Sequence, residues 1–175
     1  MHGAEYDAGR IKPASFGFEF VCSEAFTALF HEGMDLVDEA ASYLDGQGRI
    51  ESGFFGSEQA SAYANESMQM TNRLMQVASW LLVQHALAEG SLTQQEAIQE
   101  RGRLRPFPQT VTPAGLFDSL PPKFREIVGL TARLYTRILH LEELLLEADG
   151  FMPETGNPVA EQHWLIERAF ARTTS

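Results

Sequence analysis

This sequence predicts an all-α protein, an antiparallel three-helix bundle with short accessory helices. Three observations carry the expectation. Apolar residues recur every three or four positions over three long stretches, the spacing of one helix face. Two-residue alternation goes no further than Phe16, Phe18 and Phe20, too few positions to build a sheet. Glycine and proline clusters fall between the periodic stretches, where chain reversals belong.

The 175 residues match one domain of ~100–200 residues. The expected division is a flexible arm over 1–19, a helical bundle over 20–150 and a tail over 151–175 with a short amphipathic helix. Gly3, Gly9, Pro13 and Gly17 break up the arm, and its three phenylalanines are expected to dock on the bundle as plugs.

Ser23 is a good N-cap residue, and Phe26, Leu29, Phe30, Gly33, Val37, Ala40, Ala41 and Leu44 mark one face of a first long helix. Asp45-Gly46 is expected to end it, with Gly46 in the left-handed cap conformation. A glycine-rich linker then leads to Ser57. The second long helix spans Ser57 to Ala88, with Ala60, Tyr63, Ala64, Ser67, Thr71, Leu74, Ala78, Leu81 and His85 on one stripe. Met68, Met75 and Leu82, seven apart, add a second stripe. Apolar surface on so wide an arc predicts the most buried of the long helices.

Glu89-Gly90 closes it, and Ser91 to Arg101 reads as a short helix with Leu92, Ala97 and Ile98 inward. Five prolines between Gly102 and Pro122 forbid continuous helix and predict a long crossing loop. The third long helix should start after an N-cap at Ser119, with Pro121 and Pro122 in its first turn. Phe124, Thr131, Leu134, Ile138, Leu141, Leu145 and Ala148 alternate threes and fours up to Gly150. In the tail, Val159, Trp164, Leu165, Ala169 and Phe170 fit a short amphipathic helix.

Composition narrows the function. A formal net charge of -11 repels phosphate backbones and anionic lipid, so neither nucleic acid nor membrane is an expected partner. The longest apolar runs are far shorter than the ~20 residues of a membrane span. A single cysteine, Cys22, permits no intrachain disulfide, which fits a cytoplasmic setting; its expected place is in the core as a small apolar side chain.

Chemistry is hard to find. A di-iron bundle site needs Glu-x-x-His on two helices, whereas His140-Leu141-Glu142-Glu143 reverses the order and occurs once. His31 and Asp35 lie one turn apart, a pairing common on acidic helices. Gly46-Gln47-Gly48 follows a helix and lacks the lysine of a phosphate loop. The expectation is no catalytic residue, no cofactor and no metal. A rival reading is a helical-bundle enzyme or ligand sensor using His31, His85 or His140 with nearby carboxylates.

Charged groups suggest docking instead. Between Ser23 and Asp45 there are six acids and no lysine or arginine; Asp35, Asp38 and Glu39 are its candidate protein-binding residues. Arg101, Arg103 and Arg105 form a basic candidate beside Pro106, and Trp164, Leu165 and Phe170 an apolar one.

Three strings, Tyr43-Leu44-Asp45-Gly46-Gln47-Gly48-Arg49, Tyr63-Ala64-Asn65-Glu66-Ser67-Met68 and Thr71 to Leu82, resemble the regulator-of-CtrA-degradation (RcdA) family of alphaproteobacteria. The resemblance covers about the first two-thirds of the chain. It implies a dimeric three-helix bundle without enzymatic activity, an adaptor that helps the ClpXP protease receive cell-cycle regulators. Implied partners are a second copy of the chain, protease-adaptor components and protein substrates. The tail departs from the family pattern, since Trp164, Leu165 and Phe170 can fold onto the bundle where family tails are flexible and polar.

Overall fold

The computed structural model describes residues 16–101 and 111–148, and the description below is confined to them. Seven helices occur among these residues: α1 (Phe16–Val21), α2 (Glu24–Asp45), α3 (Gln47–Ser52), α4 (Ser57–Ala88), α5 (Gln94–Arg101), α6 (Ala114–Asp118) and α7 (Pro122–Ala148). The tail and residues 102–110 lie outside the described residues.

The phenylalanines of the supposed arm are helical, because α1 begins at Phe16. Phe20 packs on the core, edge-on to Phe26 at 6.0 Å, while Phe18 is 43% exposed. The Ser23 hydroxyl ties the α1–α2 corner together: it donates to the Phe20 carbonyl at 2.6 Å and accepts from the Phe26 N–H at 3.3 Å. That is the capping geometry expected of serine.

Gly46 is not left-handed. Its φ and ψ are -103° and -105°, and the chain turns straight into α3, so the expected glycine linker contains a helix. The glycine that matters here is Gly48, where a Cβ would meet the Tyr63 hydroxyl at 2.5 Å and the Tyr43 backbone oxygen at 2.9 Å. The absence of a side chain lets α3 close on two tyrosines. Likewise, a Cβ on Gly33 would overlap Leu81, so α2 and α4 approach closely there.

Thr93 and Glu96 form a capping box at the start of α5: the Thr93 N–H donates to Glu96 Oε2 at 2.9 Å and the Glu96 N–H to Thr93 Oγ1 at 3.3 Å. This motif sets the helix start at Gln94, three residues into the expected span. Ser119 does not cap α7. It closes α6, its hydroxyl donating to the Leu116 carbonyl at 2.6 Å, and the Pro121 carbonyl accepts the first α7 bond, from Arg125 N–H at 3.0 Å.

The long helices α2, α4 and α7 pack on one another. Helix α2 is antiparallel to α7, because Lys123 meets Glu39 at 2.5 Å and Arg137 meets Glu32 at 2.5 Å. Helices α4 and α7 run parallel, since Tyr135 bonds Gln76 at 3.0 Å and Glu142 accepts from Trp80 at 2.7 Å. Three packed helices cannot all be mutually antiparallel, and here the parallel pair is α4 and α7, so α7 begins at the starting end of α4. The core is one cluster led by Phe26, Met70, Trp80, Leu81 and Phe124, each at most 2% exposed.

Candidate docking surfaces

Helix α4 turns Ala62, Glu66, Gln69, Met70, Leu74, Val77, Trp80, Leu81, Gln84 and Leu87 inward. At 100° per residue the opposite side is Ser61, Ala64, Met68, Thr71, Met75, Ser79 and Leu82, all exposed. Met68, Met75 and Leu82 are 57%, 66% and 50% exposed. This corrects the expectation that they pack inward. None of the seven is charged, although charged residues make up 21% of the chain. The spacing is that of a coiled-coil seam, with Met, Met and Leu at one heptad position and Ala64, Thr71 and the half-buried Ala78 at the other.

The misreading has a physical cause. Three polar side chains lie on the buried face, Glu66, Gln69 and Gln84, at 8%, 7% and 0% exposure. The Thr112 hydroxyl donates to the Glu66 carboxylate and accepts from Asn65, pinning residues 111–113 to α4. With polar residues inside and methionines outside, hydrophobicity alone marks the wrong side. The uncharged stripe from Ser61 to Leu82 was legible in the sequence, but it says only that the face is covered, and packing decides whether by the core or by a partner.

Among the predicted docking residues, Asp35 and Asp38 are exposed on α2, whereas Glu39 is paired with Lys123. Arg101 ends α5. Arg103, Arg105, Trp164, Leu165 and Phe170 lie outside the described residues.

A second feature is a cavity of about 450 Å³ where the α1–α2 corner meets the last turn of α4, lined by Val21, Cys22, Phe26, Thr27, Phe30, His31, His85, Ala88 and Glu89. Cys22 is exposed, correcting its expected burial. The His85 ring packs on Phe30 at 4.8 Å, tilted by 35°, and reaches Glu89 at 3.4 Å. His140 lies 3.9 Å from Glu143 on α7. No group of three or more His, Cys, Asp or Glu among the described residues is arranged to hold a metal ion.

At the other end, Phe124 packs against both Tyr43, stacked at 5.9 Å, and Tyr63, tilted at 4.5 Å. Burial first, and then the hydrogen bond to Glu51, push the Tyr43 hydroxyl pKa well above its ordinary value. Burial also raises Tyr63 and Tyr135.

With this geometry in hand, the chain can be set beside known proteins. A family profile described as "Protein of unknown function (DUF1465)" matches residues 18–170. The crystal structure of RcdA from Caulobacter crescentus is 40% identical, with a TM-score of 0.61 over 73% of this chain and 96% of that one. The chain belongs to the RcdA family. The family resemblance read from the strings around Gly48 and Tyr63 therefore holds, and the RcdA likeness extends across the helical bundle. No curated protein matches. No described helix is long and apolar enough to cross a membrane.

Proposed function

We propose that this protein is a cytoplasmic, non-enzymatic adaptor in regulated proteolysis, a homodimer that helps bring cell-cycle regulators to the ClpXP protease. The observation that carries the reading is the uncharged outer face of α4. A monomer has no use for Met68, Met75 and Leu82 in water over two heptads, whereas a protein that works by contact does. Membership of the RcdA family supports the same reading.

The face suits a second copy of itself. An antiparallel α4 pair centred on Met75 sets Met68 of one copy against Leu82 of the other, with Ala64, Thr71 and Ala78 making room between them. Elsewhere two copies with a net charge of -11 each repel. Asp35 and Asp38, the stretch Arg101, Arg103 and Arg105, and the tail are left for protease components and cargo.

The test is Met75→Glu. Because Met75 is 66% exposed, the melting temperature should stay within a few degrees. Sedimentation should change from dimer to monomer at tens of micromolar, and recovery of ClpXP components from native lysate should fall. A variant that still sediments as a dimer and recovers them at wild-type levels would refute the reading.

A further inference from the structure

The cavity at the α1–α2 corner lies at the end of the molecule from which the tail departs. Because α7 runs parallel to α4, both helices finish there: Trp80 bonds Glu142 at 2.7 Å, Leu145 is 1% exposed in the same core, and α1 packs against both helices. The described chain stops at Ala148. Residues 149–163 reach at most about 50 Å when extended, far enough to deliver Trp164 anywhere on this end.

The cavity's chemistry matches what the tail carries. Its floor is Val21 and Phe26, at 3% and 2% exposure, and Phe30 and His85 wall one side as rings tilted 35° to each other. Flat aromatic walls favour an aromatic guest, held edge-on or offset. Glu89 supplies an acidic rim. In the segment Pro158 to Ala171, Trp164 and Arg168 are one helical turn apart, so on a helix an indole in the cavity places a guanidinium on the Glu89 side. The family profile runs to residue 170 and so includes all of this segment but Ala171.

We infer that the tail segment 158–171 docks on its own bundle by placing Trp164 in the cavity between the α1–α2 corner and the end of α4, with Arg168 facing Glu89. A short tether keeps the local concentration of the segment high, so its own bundle is favoured over another copy's. A fourteen-residue helix is marginal alone in water and gains order from such a surface. The docked state covers His31 and His85 and withholds Trp164 from other proteins. The inference does not rest on the adaptor reading, since it concerns one chain.

Cys22 lines the cavity and is the only cysteine, which makes it a built-in probe. Its reaction with a bulky aromatic disulfide is measured on the full-length protein, on Trp164→Ala and on Arg168→Glu, over a range of protein concentrations. Docking predicts that both variants label several-fold faster than wild type and that the wild-type rate is independent of protein concentration. Equal rates in all three proteins, or protection that disappears on dilution, would overturn it. Fluorescence gives a second readout, because the chain has two tryptophans and Trp80 is 1% exposed. The spectrum of wild type minus that of Trp164→Phe isolates Trp164. A blue-shifted, quencher-protected difference supports docking, and the spectrum of a solvated indole contradicts it.

Discussion

Leu74 is where the helical period is tested most simply. It is 6% exposed on the inner face of α4, as its place on the first apolar stripe predicts, and Leu74→Ala should cost about 2–5 kcal/mol. Denaturant melts giving less than about half a kcal/mol would put Leu74 on the surface. The tyrosines give a pH test with a definite sign. Tyr43, Tyr63 and Tyr135 have folded-state pKa values raised above the ordinary 10.0, so the native state keeps protons that the unfolded chain releases. Their contribution to stability is complete below about pH 10 and is lost as pH rises toward the folded values. Tyrosinate absorbance should therefore appear together with loss of helix. Tyrosinate appearing with an ordinary midpoint while helicity persists would show these rings to be solvated. The tyrosine environments were not legible in the sequence, since the burial of Tyr43 and its 2.6 Å bond to Glu51 depend on Gly48 admitting α3.

Among the elements, legibility followed the strength of local chemistry. The limits of α4, Ser57–Ala88, and the Ser23 cap of α2 were readable because caps and 3.6-residue periods are local. Helices α3 and α6 were missed for a shared reason: glycines in one segment and prolines in the other suggest open chain, yet neither forbids a helix of one or two turns. The capping box of Thr93 and Glu96 fixes where α5 starts, a spacing that the reading of Ser91 to Arg101 as one helix passed over. The Thr93 N–H and hydroxyl donate to the Glu96 carboxylate and hold its pKa below the ordinary value, so this cap weakens in acid as that group protonates. On α4 the period was right and the facing wrong. Burial of Gln84 at 0% exposure and exposure of Met75 at 66% reverse the usual assignment, and nothing local to α4 decides between the two sides. Its neighbours do: Gly33 admits Leu81, and Glu142 receives the Trp80 indole.

For the whole molecule, the all-helical class was legible, while the parallel pairing of α4 and α7 was not, because direction depends on how residues 89–121 cross the bundle. The candidate site was half legible. Met68, Met75 and Leu82 stood out as a stripe, but their outward direction follows only from packing. The account centres on that outward face being covered by protein, and methionine oxidation reads it directly. Dilute peroxide is applied to the protein at low and high micromolar concentration, and oxidation of Met68 and Met75 is followed by mass spectrometry against Met70, which is 0% exposed on the same helix. The account predicts that Met68 and Met75 oxidise several-fold more slowly at high concentration while Met70 stays slow at both. Fast oxidation of Met68 and Met75 at every concentration would leave the α4 face bare and contradict it.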